Sequence, residues 1–197
     1  MPIGNLRSVF NAVYENGFDP LFVDESSNFD PLTHLIVPGV GNFRAVMDHL
    51  RQHGLIERIR DFAASGRPLL GICAGMQLFA ERGIESGETP GIGLIHGSID
   101  RLPNGQPLPH VGWSQVELHF AHPVVDGIKP GRDFYFVHSF ALQDGRADEV
   151  LGETEYGARF ASMVARDNIV GFQFHPEKSQ ANGLKLIENF CNWDGRC

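Results

Sequence analysis

A cysteine between two glycines is the first feature of this sequence of 197 residues that could do chemistry. Cys73 lies in the run GICAG at 71–75, directly after an apolar pair of leucines. A strand that meets a helix at Gly-x-Cys-x-Gly is the cysteine form of a nucleophile elbow, which projects the nucleophile at the carboxyl end of a sheet. A thiol with an ordinary pKa is only about 3% ionised at pH 7, so a neighbouring base would help it. The pattern predicts a thiol nucleophile, and a buried inert cysteine at a tight turn is the alternative.

A histidine that could serve as this base comes about a hundred residues later. His175 ends an apolar run at 169–174, and a carboxylate follows at Glu177. If both apolar runs are strands of one parallel sheet, their carboxyl ends lie along the same edge, where His175 can meet Cys73. Glu177 could then bond the far imidazole nitrogen and fix its tautomer. The spacing therefore predicts a triad of Cys73, His175 and Glu177.

A glycine-rich loop supplies a third candidate element. The run PGVG at 38–41 follows another apolar run, so backbone N–H groups of Gly39, Val40 and Gly41 could point at a developing oxyanion. A plain glycine-rich turn is the alternative. The third glycine of a dinucleotide fingerprint would fall at Arg44, which makes a nicotinamide cofactor a poor guess.

The histidines elsewhere do not form a metal motif. His49 and His53 stand at i and i+4, but Leu50 occupies the position at which a zinc peptidase motif has glutamate. Two histidines on a solvent-exposed helix face are therefore a better interpretation of this pair than a zinc site. We therefore assign neither a metal nor any other cofactor.

The apolar periodicity predicts the elements that must position these residues. The fold class is α/β, with a mostly parallel central sheet flanked by helices and with additional antiparallel strands, in one domain over 1–197. The predicted strands are 21–23, 34–37, 69–72, 113–118, 134–137, 161–165 and 169–174. The predicted helices are one with Asn5 as its N-cap, two pieces within 45–65 broken at Gly54, one at 75–82 and one at 180–190.

Composition narrows the classes of function. The chain has 16 Lys and Arg against 24 Asp and Glu, a net charge of −8, and no basic run, which argues against nucleic-acid and anionic-membrane binding. No apolar stretch reaches the roughly 20 residues of a membrane helix, and the first residues do not resemble a signal peptide, so we expect a cytoplasmic protein. Three cysteines do not make a disulfide framework.

Together these motifs resemble the class I, triad-type glutamine amidotransferases, and within them the glutaminase subunits of imidazole glycerol phosphate synthases. The resemblance spans nearly the whole chain and rests on six segments. They are GNLRSV at 4–9, PGVG at 38–41, GICAGMQL at 71–78, PHVGW at 109–113, FVHS at 136–139 and GFQFHPEKSQ at 171–180.

The resemblance implies a reaction and a set of roles. Cys73 would attack the side-chain amide of L-glutamine, His175 would move the protons and Glu177 would orient His175, giving glutamate and ammonia. The family's oxyanion and substrate-binding residues match further positions here: Gly39, Val40, Gly41, Ala74, Gln77 and the backbone about His138 and Ser139.

The resemblance also implies a partner. In the family a (β/α)₈ barrel cyclase subunit forms a heterodimer with the glutaminase, receives its ammonia and makes imidazole glycerol phosphate for histidine biosynthesis. A ligand on the barrel switches the glutaminase on, through the PGVG loop and a contact surface near Trp113 and Lys178.

Two features depart from the family. Relatives begin with an apolar strand before the turn at which this sequence starts, so the first strand is expected to be missing. Ser114 stands where relatives usually carry asparagine. The alternatives that remain open are a glutaminase feeding a surface-sugar amidotransferase, a non-catalytic regulatory subunit and a cysteine peptidase of related fold.

Overall fold

A mixed sheet with helices on both faces positions the candidate residues. The computed structural model describes residues 3–103 and 106–197. Its helices are α1 (Ile3–Glu15), α2 (Phe43–Gln52), α3 (Leu55–Ala64), α4 (Ala74–Leu78) and α5 (Gln180–Asn192). Its strands are β1 (Leu35–Gly39), β2 (Leu69–Cys73), β3 (Arg82–Gly83), β4 (Thr89–Pro90), β5 (Ser98–Arg101), β6 (His110–Leu118), β7 (Arg132–His138), β8 (Phe140–Gln143), β9 (Val150–Tyr156), β10 (Ala158–Arg166) and β11 (Ile169–Phe172).

Three parallel strands form the part of the sheet that carries the site. β2 lies between β1 and β11, and all five of its residues are buried. The register pairs Gly39 with Cys73 and Phe172 with Ile72. Since parallel strands end at the same edge, the PGVG loop, Cys73 and the segment after Phe172 leave the sheet side by side.

Antiparallel strands complete the sheet. β10 pairs with β11, β9 and β8, and β6 pairs with both β7 and β9. The predicted α/β fold is thus confirmed, with its added antiparallel strands in the middle of the chain.

Apolar side chains cover both faces of the parallel strands, as expected for strands without a solvent face. On one face Leu69 packs in a cluster with Phe43 and Phe62 from α2 and α3. On the other face Leu70 packs in a cluster with Phe190 from α5. Adjacent residues of β2 therefore serve opposite halves of the core.

Two helix boundaries test the sequence prediction. The break at Gly54 is confirmed, because this residue has φ +62 and separates α2 from α3. The helix predicted over 75–82 ends instead at Leu78. The carbonyl of Phe79 accepts hydrogen bonds from the N–H groups of Leu94 and Ile95, and that of Leu78 accepts from Ile92. Bonds to a distant segment therefore replace those of another helical turn.

The strand predicted at 21–23 is wrong. This segment is irregular, and Leu21 and Phe22 are 62% and 61% exposed. The Phe22 ring stacks on Phe10, with centroids 4.8 Å apart, and the carboxylate of Asp24 holds the next turn through Ser26. Side-chain contacts thus hold the segment instead of strand pairing.

The first element of the described residues is helix α1, and β1 forms one end of the sheet. Asn5, expected just before a helix, lies inside α1. No helix within 3–103 and 106–197 is both long and apolar enough to cross a membrane.

Candidate active site

Cys73 stands on a strained turn between β2 and α4. Its φ of +54° and ψ of −113° are unusual for a residue with a side chain, and such backbone strain collects at functional sites. Gly75 makes the turn possible, because a Cβ atom there would lie 1.7 Å from the carbonyl oxygen of Val37. The predicted nucleophile elbow is therefore present, with strand β1 packed directly against it.

His175 reaches the nucleophile from the segment that follows β11. Its backbone N–H donates to the carbonyl of Tyr135, at 2.9 Å, which fixes this segment against β7. Its ring interacts with Cys73 on one side. On the other side Nδ1 lies 2.8 Å from Oε1 of Glu177. The structure brings all three predicted triad residues together.

The triad is shielded from water. The side chains of His175 and Glu177 are 2% and 0% exposed, and Cys73 is buried. Burial alone would lower the pKa of His175, but hydrogen bonds and charge interactions with Cys73 and Glu177 raise it to about 9. The ring is therefore protonated at pH 7. A charged imidazole beside a sulfur is the arrangement in which cysteine nucleophiles act as thiolates.

The PGVG loop lies directly beside the elbow. A Cβ atom on Gly39 would stand 2.7 Å from the backbone nitrogen of Gly75 and 2.8 Å from Cβ of Ala74. Gly39 is therefore needed for the close approach of loop and nucleophile. Gly41 is exposed, with φ +125°, and Val40 lies between the two glycines. Of the predicted oxyanion residues, Gly39 and Ala74 are thus in direct contact beside Cys73.

Two N–H groups at the start of α2, next to this loop, already have protein acceptors. The side chain of Asn42 accepts a hydrogen bond from the N–H of Ala45, and Oε2 of Glu85 accepts from the N–H of Phe43 at 2.7 Å. An oxyanion would therefore depend on the loop and on the N–H of Ala74, not on these two N–H groups of α2.

Two buried amides connect α4 with the sulfur. Nε2 of Gln77 donates to the carbonyl of Phe140, at 2.8 Å, and to Oε1 of Gln173, at 3.0 Å. Nε2 of Gln173 lies 3.9 Å from Sγ of Cys73. The family resemblance places Gln77 near bound substrate, whereas the sequence analysis assigns no role to Gln173. The sequence signal that could have found it is an amide between two phenylalanines at the end of an apolar run, and the structure buries this amide completely.

The remaining predicted residues end strand β7 beside the nucleophile. Sγ of Cys73 lies 3.8 Å from the carbonyl oxygen of Val137. The next residues are His138, which is buried, and Ser139, whose carbonyl accepts a hydrogen bond from Leu102. The end of strand β7 therefore lies against the nucleophile.

The histidine pair at positions 49 and 53 lies outside this site. The rings of His49 and His53 stand 4.4 Å apart, and Nδ1 of His53 is 3.3 Å from Glu25. Within the described part of the chain, no three His, Cys, Asp or Glu side chains are grouped to hold a metal ion.

Comparison with known proteins identifies close relatives. The family model described as glutamine amidotransferase class-I matches residues 5–193. Imidazole glycerol phosphate synthase subunit HisH of Wolinella succinogenes is 44% identical over 194 residues, which cover 96% of this chain and 95% of the relative. The subunit of the same name from Aquifex aeolicus is 42% identical over 189 residues, covering 95% and 91%.

Solved structures share the fold at lower identity. A crystal structure of a glutamine amidotransferase matches with a TM-score of 0.75 and 21% identity, over 96% of this chain and 93% of the other. The structure of PurLQS from Thermotoga maritima matches with a TM-score of 0.72 and 20% identity, over 94% and 91%.

Proposed function

We propose that this chain, which belongs to the class I glutamine amidotransferase family, is the glutaminase subunit of an imidazole glycerol phosphate synthase. The observation that carries the proposal is the meeting of Cys73, on its strained turn, with a buried His175 that Glu177 holds. The subunit name of relatives that are 44% and 42% identical over nearly their whole length supports the choice of synthase.

The first half of the reaction releases ammonia. Sγ of Cys73 attacks the side-chain amide carbon of L-glutamine, and the carbonyl oxygen becomes an oxyanion. The backbone N–H of Ala74 and an N–H of the PGVG loop stabilise this charge. His175 then gives its proton to the amide nitrogen, the C–N bond breaks, and ammonia leaves a thioester on Cys73.

The second half regenerates the thiolate. His175, now neutral, takes a proton from water, and the resulting hydroxide attacks the thioester carbon. Collapse of this second tetrahedral species breaks the C–S bond and releases glutamate. Glu177 keeps the His175 ring in one orientation throughout and stabilises its charged form. No cofactor takes part in these steps.

A partner must receive the ammonia. The relatives' name makes each of them a subunit of a synthase, so we assign this chain a (β/α)₈ barrel cyclase partner in a heterodimer. Trp113, which is 47% exposed, and the exposed Lys178 lie on the contact surface that we assign to this partner. Histidine biosynthesis, a cytoplasmic pathway, is the setting that this proposal implies.

The test is glutamate release from L-glutamine by three samples. They are this chain alone, the chain with the cyclase of the same organism, and the pair with imidazole glycerol phosphate added. We expect the cyclase and its ligand to stimulate release, and Cys73→Ala to abolish it. Stimulation by the synthase subunit of a surface-sugar amidotransferase, and not by the cyclase, would change the assigned partner but keep the proposed glutaminase chemistry. Absence of release with every partner would overturn the proposal.

A further inference from the structure

Three polar side chains form a chain of contacts on the inner face of the β6–β7 hairpin. His110 and His138 are direct cross-strand partners, and Nδ1 of His110 lies 3.2 Å from Nε2 of His138. Nε2 of His110 lies 2.9 Å from Oγ of Ser114. Nδ1 of His138 lies 2.8 Å from the carbonyl oxygen of Phe140. Both imidazoles are buried, at 1% and 7% exposure.

The carbonyl at one end fixes the direction of every hydrogen bond in this chain. Phe140 O can only accept, so Nδ1 of His138 carries a proton and its Nε2 accepts when the ring is neutral. His110 must then donate through Nδ1, and its Nε2 must accept from the Ser114 hydroxyl. Burial lowers the pKa of His110 to about 4 and that of His138 to about 3, so both rings are neutral near pH 7.

The carbonyl group of Phe140 connects this chain of contacts to the nucleophile. It accepts one hydrogen bond from His138 and another from Gln77. Gln77 also donates to Gln173, whose amide nitrogen faces Sγ of Cys73. Two sets of side chains, one from the β6–β7 hairpin and one from behind the elbow, therefore fix the same backbone carbonyl.

The packing leaves the His110 ring little freedom. It stacks on the rings of Phe136, with centroids 4.9 Å apart, and of Tyr156, at 3.9 Å. The opposite face of strand β6 carries exposed Val111 and Trp113, at 55% and 47%. The inner chain of contacts is therefore attached to the strand whose outer face is open to a partner.

We propose that Ser114 and His110 are positioning residues that act through His138 to hold residues 137–140 in the place that glutamine requires beside Cys73. This inference rests on the proposed glutaminase function and adds residues that do not touch the substrate. Val137 already lies against the sulfur, so a small displacement of this segment changes the space in which the amide must bind.

The choice of variants follows from the donor and acceptor roles in this chain of contacts. Ser114→Ala removes the hydroxyl donor and leaves the buried Nε2 of His110 unpaired, whereas Ser114→Thr keeps a donor. His110→Phe keeps an aromatic ring for stacking but leaves Nε2 of His138 without a partner. Thr154→Val is the matched control, because it removes a buried hydroxyl that donates to strand β6, at Gln115 O, away from the histidines.

The readout is steady-state glutaminase kinetics with saturating cyclase and imidazole glycerol phosphate. One net hydrogen bond corresponds to about a three- to tenfold change. We expect KM for glutamine to rise by about this factor in Ser114→Ala, with kcat changed less. We expect KM for glutamine in Ser114→Thr and Thr154→Val to stay within about twofold of wild type. The rise in KM should be larger in His110→Phe than in Ser114→Ala.

A second readout does not depend on catalysis. Nitrogen-15 NMR of the histidine rings in the isolated wild-type chain at pH 7 should show that His110 and His138 are neutral and protonated at Nδ1. The signals of His110 are assigned by their loss in His110→Phe, and those of His138 by their loss in His138→Phe. A charged ring or an Nε2 proton at either position would overturn the proposal, and so would a KM of Ser114→Ala equal to that of wild type. An inactive wild-type complex would count instead against the proposed function, because the ring protonation is measured without it.

Discussion

The charge of Glu177 offers a sharp test of the triad. Glu177→Gln keeps the shape of a side chain that lies 2.8 Å from Nδ1 of His175 but removes its negative charge. Neither side chain is more than 2% exposed, so water cannot replace the lost interaction. A hydrogen bond with an ionised partner contributes about 1.5–3 kcal/mol. Applied to the imidazolium of His175, this predicts a loss of about 10- to 150-fold in kcat at pH 7.

The same substitution should change the pH dependence. In the wild type the pKa of His175 is raised to about 9, so the proton for the leaving ammonia is lost only as the pH approaches 9. Removing a neighbouring negative charge disfavours the charged ring and lowers this pKa. The falling limb of kcat/KM should therefore move to lower pH in Glu177→Gln. The raised pKa also means that the charged ring stabilises the folded state. This contribution to the free energy of unfolding is fully present below pH 6.5 and is lost as the pH rises through 9.

The assay is the initial rate of glutamate release by the cyclase complex between about pH 6 and pH 10. Glu188→Gln is the matched control, because the Glu188 side chain is 43% exposed on α5 and its described ion pair is with Lys185, which is not part of the triad. Cyclase activity driven by added ammonium should be the same in all three proteins. A Glu177→Gln variant with kcat within about threefold of wild type and an unmoved alkaline limb would refute the reasoning.

Three further substitutions probe the scaffold, with urea unfolding as the measurement. Gly75→Ala should cost about 3 kcal/mol or more, because its Cβ would stand 1.7 Å from Val37 O, and an unchanged midpoint would contradict that packing. Phe190→Ala should cost about 3–5 kcal/mol from the core while leaving glutamate release intact at low temperature. Glu149→Ala should cost about 1.5–3 kcal/mol, because the buried carboxylate holds His96 at 2.6 Å, whereas a loss below about 1 kcal/mol would mean that water replaces it.

Much of the site could be predicted because its residues lie at strand ends. Apolar runs in the sequence predict strands β1, β2 and β11. Parallel strands bring their carboxyl ends to the same edge of the sheet, however many residues separate them in the sequence. Cys73 and His175 therefore met as expected although a hundred residues separate them. Gly39 and Gly75 stood out in the sequence as turn residues, but their close contact required the register of two strands.

The parts that failed depend on long-range contacts. The segment at 21–23 has strand-like residues, yet no strand of the described chain pairs with it. Helix α4 ends early because N–H groups of the loop at 92–95 donate to the carbonyls at its C-terminal end. Helical periodicity cannot reveal such long-range hydrogen bonds. The contact between His110 and His138 depends on a register that the sequence leaves open.

The most direct test of the central claim is the site at which a chloroketone analogue of glutamine labels the protein, read by peptide mass spectrometry. The chain provides its own controls, because burial raises the pKa of Cys191 to about 11 and the pKa of exposed Cys197 is raised as well. We predict an adduct on Cys73 alone, slowed by excess L-glutamine and absent in His175→Ala. Labelling of Cys197 at an equal rate, or labelling of Cys73 that glutamine does not slow, would contradict a glutamine site at this cysteine.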